Sequence, residues 1–206
     1  MLDPFIDAES QYFCGLISAT LSLLAFAPYM RDTLRGSTRP FRASWLIWSV
    51  LSSISLASQI AEGATMSLFY AGAQCGGTLF IFTLSIWRGM GTFLRGSDAV
   101  VLLAALVGLV FWYASDNAAY ALFISCGISL LGGSVTVYKA YLDPDSETMS
   151  FWAISFVASL FAMASVGRVD AVLMAYPAYL LILKSSIITA MIMGRGVQRR
   201  APLAVA

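Results

Sequence analysis

Apolar residues in this chain come in long unbroken runs, not in the alternation of a half-buried strand or the one-sided stripe of a surface helix. The runs fall near 11–30, 44–61, 66–87, 98–115, 118–138, 150–167 and 171–193, separated by short clusters of charged and turn-forming residues. About 20 apolar residues span the hydrocarbon core of a bilayer as a helix, so seven transmembrane helices with short connections are expected. The fourth run, bounded by Asp98 and Asp116, contains VVLLAALVGLVFWYA and has the least chemistry to offer.

Composition agrees. Hydrophobic residues make up 59% of the 206 and charged residues 11%, where a soluble domain carries about 25% charged. Little chain is left for a soluble domain. The start, MLDPFIDAES, is acidic and lacks the basic flank of a cleavable signal, so the first run is expected to stay in the membrane. There is no histidine, and Cys14, Cys75 and Cys126 sit in apolar runs without metal-ligand spacing. No metal site is expected. With no paired carboxylates in a span and no nucleophile beside a recognisable base, enzyme chemistry is not expected either.

Charge sets orientation. Alternate connections and the C-terminal tail hold Arg31, Arg35, Arg39, Arg42, Arg88, Arg95, Lys139, Arg195, Arg199 and Arg200, ten of the 12 Lys and Arg residues. The remaining two are Arg168 and Lys184. The excess of basic residues on the cytoplasmic side of membrane proteins puts the C-terminus in the cytoplasm and the N-terminus outside, in a bacterial inner (plasma) membrane. The same basic loops suit anionic lipid headgroups.

The chain also aligns with itself at a shift of 107 positions without a gap. LISATLSLL at 16–24 falls on FISCGISLL at 123–131, Trp45 on Trp152, Ser52 on Ser159, Ala57-Ser58 on Ala164-Ser165, and Arg88-Gly89 on Arg195-Gly196. Three helices reverse the chain's direction, so one extra crossing must precede a second unit of the same orientation. The expected fold is therefore all-α, seven helices as 3+1+3 parallel repeats: 1–92, a linker helix at 93–116, and 117–206. Transporters place their sites near the midplane where such repeats meet.

The stretches FAPYMRDTLRGSTRPFRASWLIW and TVYKAYLDPDSETMSFW, each a span end, a short polar loop and an aromatic restart, resemble the PQ-loop superfamily. That superfamily includes the SWEET sugar transporters, the nicotinamide riboside transporters and the lysosomal cystine and cationic amino acid exporters. The resemblance covers essentially the whole chain. It implies two three-helix bundles joined by a linker helix, a substrate between them, and proline kinks that let them rock. The Pro-Gln signature itself is reduced to Pro28-Tyr29 in the first repeat and Val135-Thr136 in the second. Pro28 is the expected hinge of the first bundle, and Gly132 and Gly133 that of the second. No acid sits in SLLGGSVTVYK, where the exporters carry a proton-coupling aspartate.

Lys184 lies midway along the seventh run. An ammonium at the bilayer centre costs at least about 2.5–3.5 kcal/mol on insertion scales, which makes it a functional candidate. Its repeat equivalent is Gly77, so a long cation is expected to face a gap. Gln74 is one turn from Gly77; Gln59, Tyr70, Tyr176 and Tyr179 are further polar groups for a cavity, against the alternative of interhelical hydrogen bonds. Ser52 and Ser159 suit either substrate contact or close packing. Trp45, Trp48 and Trp152 are expected in the interfacial aromatic belt, with Trp48 also a candidate at the site. Arg31 and Arg35 could pair with Asp143 and Glu147 as a gate. The substrate-binding set is thus Lys184, Gly77, Gln74, Ser52, Ser159, Tyr176 and Trp48.

These features lead to a facilitator for a small polar solute, anions among the candidates, with no cofactor, no nucleic-acid partner, the lipid bilayer around it, and a monomer sufficient for one pathway. Two alternatives remain at this point. A lysine midway along a seventh helix also fits retinal bound as a Schiff base in a rhodopsin-like photoreceptor or pump, although no acid lies at its depth to act as counterion. A non-transporting membrane receptor on the same fold is the other.

Overall fold

In a computed structural model, the described residues are 6–91, 103, 107, 110, 118–167 and 169–200. They form α1 (Ala8–Arg35), α2 (Arg42–Ala61), α3 (Ser67–Arg88), α4 (Ala118–Leu142), a 3-10 turn at Pro144–Ser146, α5 (Met149–Ser165) and α6 (Ala171–Arg200). Among the described residues the only strand-like feature is an isolated bridge between Phe41 and Met90. The protein is all-helical. Four helices, α1, α2, α3 and α6, are long and apolar enough to cross a bilayer, as befits a membrane-embedded protein. Most of the fourth run, and with it the expected linker helix, lies outside the described residues. Its Leu103, Val107 and Val110 are helical and exposed.

Local chemistry sets the helix ends. Asp7 caps α1, its carboxylate accepting from the Ser10 backbone N–H at 3.0 Å. Gly36 ends it in the left-handed conformation at φ 81°, donating to the Thr33 carbonyl. Asp170 caps α6, its Oδ1 accepting from the backbone of Val172 and Leu173 at 3.0 Å each. Helices α1, α4 and α6 run past their apolar stretches into Arg31–Arg35, Lys139–Leu142 and Gly194–Arg200, since backbone hydrogen bonding does not stop where the apolar run does.

The helices form a closed ring in which α1 packs on α3 and α5, α2 on α3 and α4, and α6 on α4 and α5. Large apolar side chains such as Leu23, Leu24, Phe80, Ile182 and Ile192 point outward, while Ser18, Ser22, Ser52, Ser55, Gln59, Gln74 and Ser159 are buried. That is the polarity expected of helices in lipid, where small hydroxyl residues let backbones approach. Gly15 in α1 meets the α2–α3 turn so closely that a Cβ there would lie 2.8 Å from the Met66 carbonyl oxygen. At the opposite end Arg42 clamps α2 to α3, with Nε 3.0 Å from the Ser85 carbonyl and a guanidinium nitrogen 2.7 Å from that of Gly91.

The tryptophan expectation is overturned. Trp45, Trp48 and Trp152 are buried inside the ring at 2%, 8% and 3% exposure, because their rings stack on one another and on Tyr29 and Phe151, not against lipid. Tyr29 to Phe151 is 4.8 Å, Tyr29 to Trp45 5.1 Å, Phe151 to Trp152 4.8 Å and Trp48 to Trp152 6.2 Å between ring centres.

Two glycines test the packing. Gly15→Ala should destabilise by about 1–3 kcal/mol through overpacking, whereas Gly76→Ala, with open space around it, should be neutral or stabilising by up to about 1 kcal/mol. Melting of both variants in detergent checks the contrast.

Candidate functional site

Inside the ring is a cavity of about 40 Å³, room for roughly three waters. All six described helices reach it: Phe26 from α1, Trp48 and Ser52 from α2, Gln74 and Thr78 from α3, Ser129 from α4, Phe151 and Trp152 from α5, and Tyr176, Tyr179 and Lys184 from α6.

Lys184 is 2% exposed. Its Nζ donates to Tyr70 Oη at 2.8 Å, Ser159 Oγ at 3.1 Å and the Ser155 carbonyl at 3.2 Å. It also lies 5.3 Å from the centre of the Tyr70 ring. The Tyr70 and Ser159 hydroxyls bond each other at 2.8 Å, and Ser159 donates or shares with the Ser155 carbonyl at 2.9 Å. Every ammonium proton therefore has an acceptor, but each acceptor is neutral. Among the described residues no carboxylate makes an ion pair with it. The hydrogen bonds are satisfied, and no carboxylate among the described residues offsets the charge that the protonated amine carries.

Around this group the spare polar capacity is mostly donor. Trp48 Nε1 and Tyr179 Oη are buried and make no well-formed hydrogen bond. Gln74 Oε1 accepts from Ser22 Oγ at 2.6 Å, and Gln74 is one of the cavity-lining residues. Ser52 and Thr78 spend their hydroxyls on each other at 2.8 Å and on carbonyls of their own helices.

Of the residues singled out from the sequence, Lys184, Gln74, Ser52, Tyr176 and Trp48 line this one cavity, and Ser159 holds Lys184. Gly77 differs. The Phe26 ring packs directly onto it, where any Cβ would clash. The expected gap opposite Lys184 is filled by an aromatic ring from α1. Sequence reasoning missed Phe26, Thr78, Ser129, Phe151 and Ser155. Ser155 could have been found, since it lies one turn before Ser159 on the same helix face; the others carry no signal in one dimension beyond being apolar or small.

The expected gate pairing is also corrected. Arg31 pairs with its neighbour Asp32 at 3.0 Å, and neither Arg31 nor Arg35 bonds Asp143 or Glu147. Adjacent charges on one exposed turn reach each other before they reach another helix. Glu147 is instead buried, 5% exposed. It accepts from Lys139 Nζ at 2.9 Å and from Trp152 Nε1 at 3.1 Å. Lys139 also donates to the Arg39 carbonyl at 2.9 Å. Beside it Thr38 and Thr148 hydroxyls bond at 2.6 Å, and Thr148 reaches Asp32 at 3.2 Å. This latch joins the α1–α2 loop to the α4–α5 loop and, with the aromatic stack beneath it, closes the basic end of the ring. Of the hinge candidates, Pro28 is inside α1, Gly132 is within α4, and Gly133 is where α4 meets Leu183 of α6.

Retinal does not fit these residues. The cavity lining contains no carboxylate to serve as counterion. Comparison with family models, with curated proteins and with solved structures finds no match to this chain.

Removing one partner of the buried latch leaves the other charge uncompensated, which costs about 3–5 kcal/mol when burial is complete. Glu147→Ala should therefore lower the melting temperature clearly, and Arg31→Ala, from an exposed pair worth about 0–1 kcal/mol, hardly at all. Parallel thermal melts in one detergent measure the difference.

Proposed function

We propose that the protein is a membrane transporter, a facilitator for a small polar and preferentially anionic solute, with its site between two three-helix bundles around Lys184. In this reading the chain is a seven-helix 3+1+3 protein of the PQ-loop, SWEET-like kind, the basic end faces the cytoplasm of a bacterial cell, and the N-terminus lies outside.

The single observation that carries the reading is Lys184: a buried amine with no carboxylate partner among the described residues, facing a cavity that all six described helices line. An ionisable group within a membrane span is costly and marks a functional site by default. A site that admits an anion supplies the missing charge when occupied.

The ring order supports the two-bundle arrangement. Shifting residue numbers by 107 carries α1, α2 and α3 onto α4, α5 and α6, and carries the observed set of neighbours onto itself. Particular contacts follow the same rule. Tyr29 packs on Phe151 at 4.8 Å, and the shifted pair, Thr136 and Ser44, bonds at 3.4 Å. Arg39 and Ser146 are equivalents of each other, and the Arg39 N–H donates to the Ser146 carbonyl at 3.5 Å, as residues beside a pseudo-twofold axis would. The latch then lies between the bundles, where a gate belongs, and in this reading the paired charges hold the basic end shut.

Purified protein and the Lys184→Ala variant, reconstituted in proteoliposomes, provide the test. The wild type should take up a labelled anion from a panel of carboxylates, sugars, nucleosides and amino acids. The variant should lose at least about tenfold in uptake, the scale of one charge-assisted hydrogen bond, while remaining monodisperse. Equal uptake by both proteins would make Lys184 structural. Binding without flux would favour a receptor, and a visible band with retinal in the wild type alone would favour a photoreceptor.

A further inference from the structure

The composition of the cavity narrows the solute further. Beside the Lys184 amine, the Trp48 indole N–H and the Tyr179 hydroxyl make no well-formed hydrogen bond, although Tyr179 has the Trp48 indole and the Ser129 hydroxyl next to it, and the Gln74 carboxamide also lines the space. Trp48 and Tyr179 are each 8% exposed, so neither group is answered by bulk water. An ammonium-bearing solute, such as a free amino acid, would find no carboxylate in this lining and would meet Lys184 with like charge. A dianion would bring one charge more than Lys184 can balance. One negative charge, presented through acceptor oxygens, matches the set.

The walls supply the rest. Phe26, Trp48 and Trp152 face the same space, with the two indoles edge to face at an interplanar angle of 75°. Aromatic surfaces in this arrangement favour a flat ring, through stacked or edge-on contact worth about 0.5–1.5 kcal/mol beyond area burial. We propose that the preferred solute is a planar aromatic monocarboxylate, with its carboxylate on Lys184 and the donors of Trp48 and Tyr179, and its ring against the aromatic wall of Phe26, Trp48 and Trp152. The carboxylate would take one proton of Lys184 by displacing the longest of the present bonds, that to the Ser155 carbonyl at 3.2 Å. The present bond to Ser155 already has a cationic donor; what the exchange adds is the attraction between opposite charges in a buried site. The cavity must widen to admit the ring, and the aromatic side chains above it are the parts to move.

This inference rests on the transporter reading for its biological sense, but its test does not. Titration calorimetry on purified wild-type protein would compare four probes of similar size: benzoate, cyclohexanecarboxylate, benzamide and benzylamine. Benzoate should bind tightest, with cyclohexanecarboxylate weaker by at least about threefold, the scale of a single aromatic contact. Benzamide and benzylamine should be weaker by at least about tenfold. Lys184→Met should lose benzoate binding by a similar factor. Trp48→Phe, which keeps a ring and deletes the indole N–H, should weaken benzoate by about three- to tenfold for one hydrogen bond, and it keeps the test decisive if the lysine variant folds poorly. Equal affinity for benzoate and benzamide, or tighter binding of cyclohexanecarboxylate, would overturn the proposal. Flux of sugars or amino acids without benzoate binding would overturn it and leave the transporter reading standing. Benzoate binding that depends on Lys184 without flux of any solute would support it and remove that reading.

Discussion

The structure turns on one electrostatic imbalance. A lysine is buried at the centre of a ring of apolar helices with all of its hydrogen bonds made to neutral oxygens. Hydrogen bonding and charge neutralisation are separate requirements, and among the described residues only the first is met. Tyr70, Ser155 and Ser159 do for the ammonium what water would do. They hold it in place without cancelling its field. The three come from α3 and α5, so Lys184 of α6 also ties together helices that otherwise touch little. In the proposed two-bundle arrangement this bond set crosses the boundary between bundles: Tyr70 belongs to one and Lys184 to the other. A solute that competes for the lysine would therefore loosen a link between them, which connects binding to movement without a further device.

The basic end follows a different logic. There the charges are paired. Lys139 and Glu147 are buried together, and the Glu147 carboxylate is shared with the indole of Trp152, whose ring also lines the cavity. The latch and the site thus share a side chain. Any displacement of Trp152 by a ring in the cavity would pull on the acceptor that holds Lys139. Asp32 and Lys139, which occupy equivalent positions under the shift of 107, carry opposite charges and serve the same closure.

Much of this was legible in the sequence because apolar run length and charge report depth. The six described helices begin within a few residues of their expected starts, and Lys184, Gln74, Ser52, Tyr176 and Trp48 converge as a set. What depth cannot report is direction around a helix. Trp45, Trp48 and Trp152 sit at the depth of an interfacial belt yet turn inward, because Tyr29 and Phe151 offer them partners. Gly77 has the right depth to oppose Lys184, but Phe26 from another helix takes the space. Arg31 was matched to a distant acid by side of the membrane, when the residue next to it was an aspartate.

The most direct test of the account is a structure determined with 4-iodobenzoate, using the anomalous signal of iodine to locate it. The iodine is expected inside the helix ring against the aromatic wall of Phe26, Trp48 and Trp152, with the carboxylate within hydrogen-bonding distance of Lys184 Nζ and the bond to the Ser155 carbonyl lengthened. Iodine found only on the outer, lipid-facing surface, with Lys184 still holding Tyr70, Ser159 and Ser155 as now, would contradict it and make the lysine a fixed strut of the helix ring.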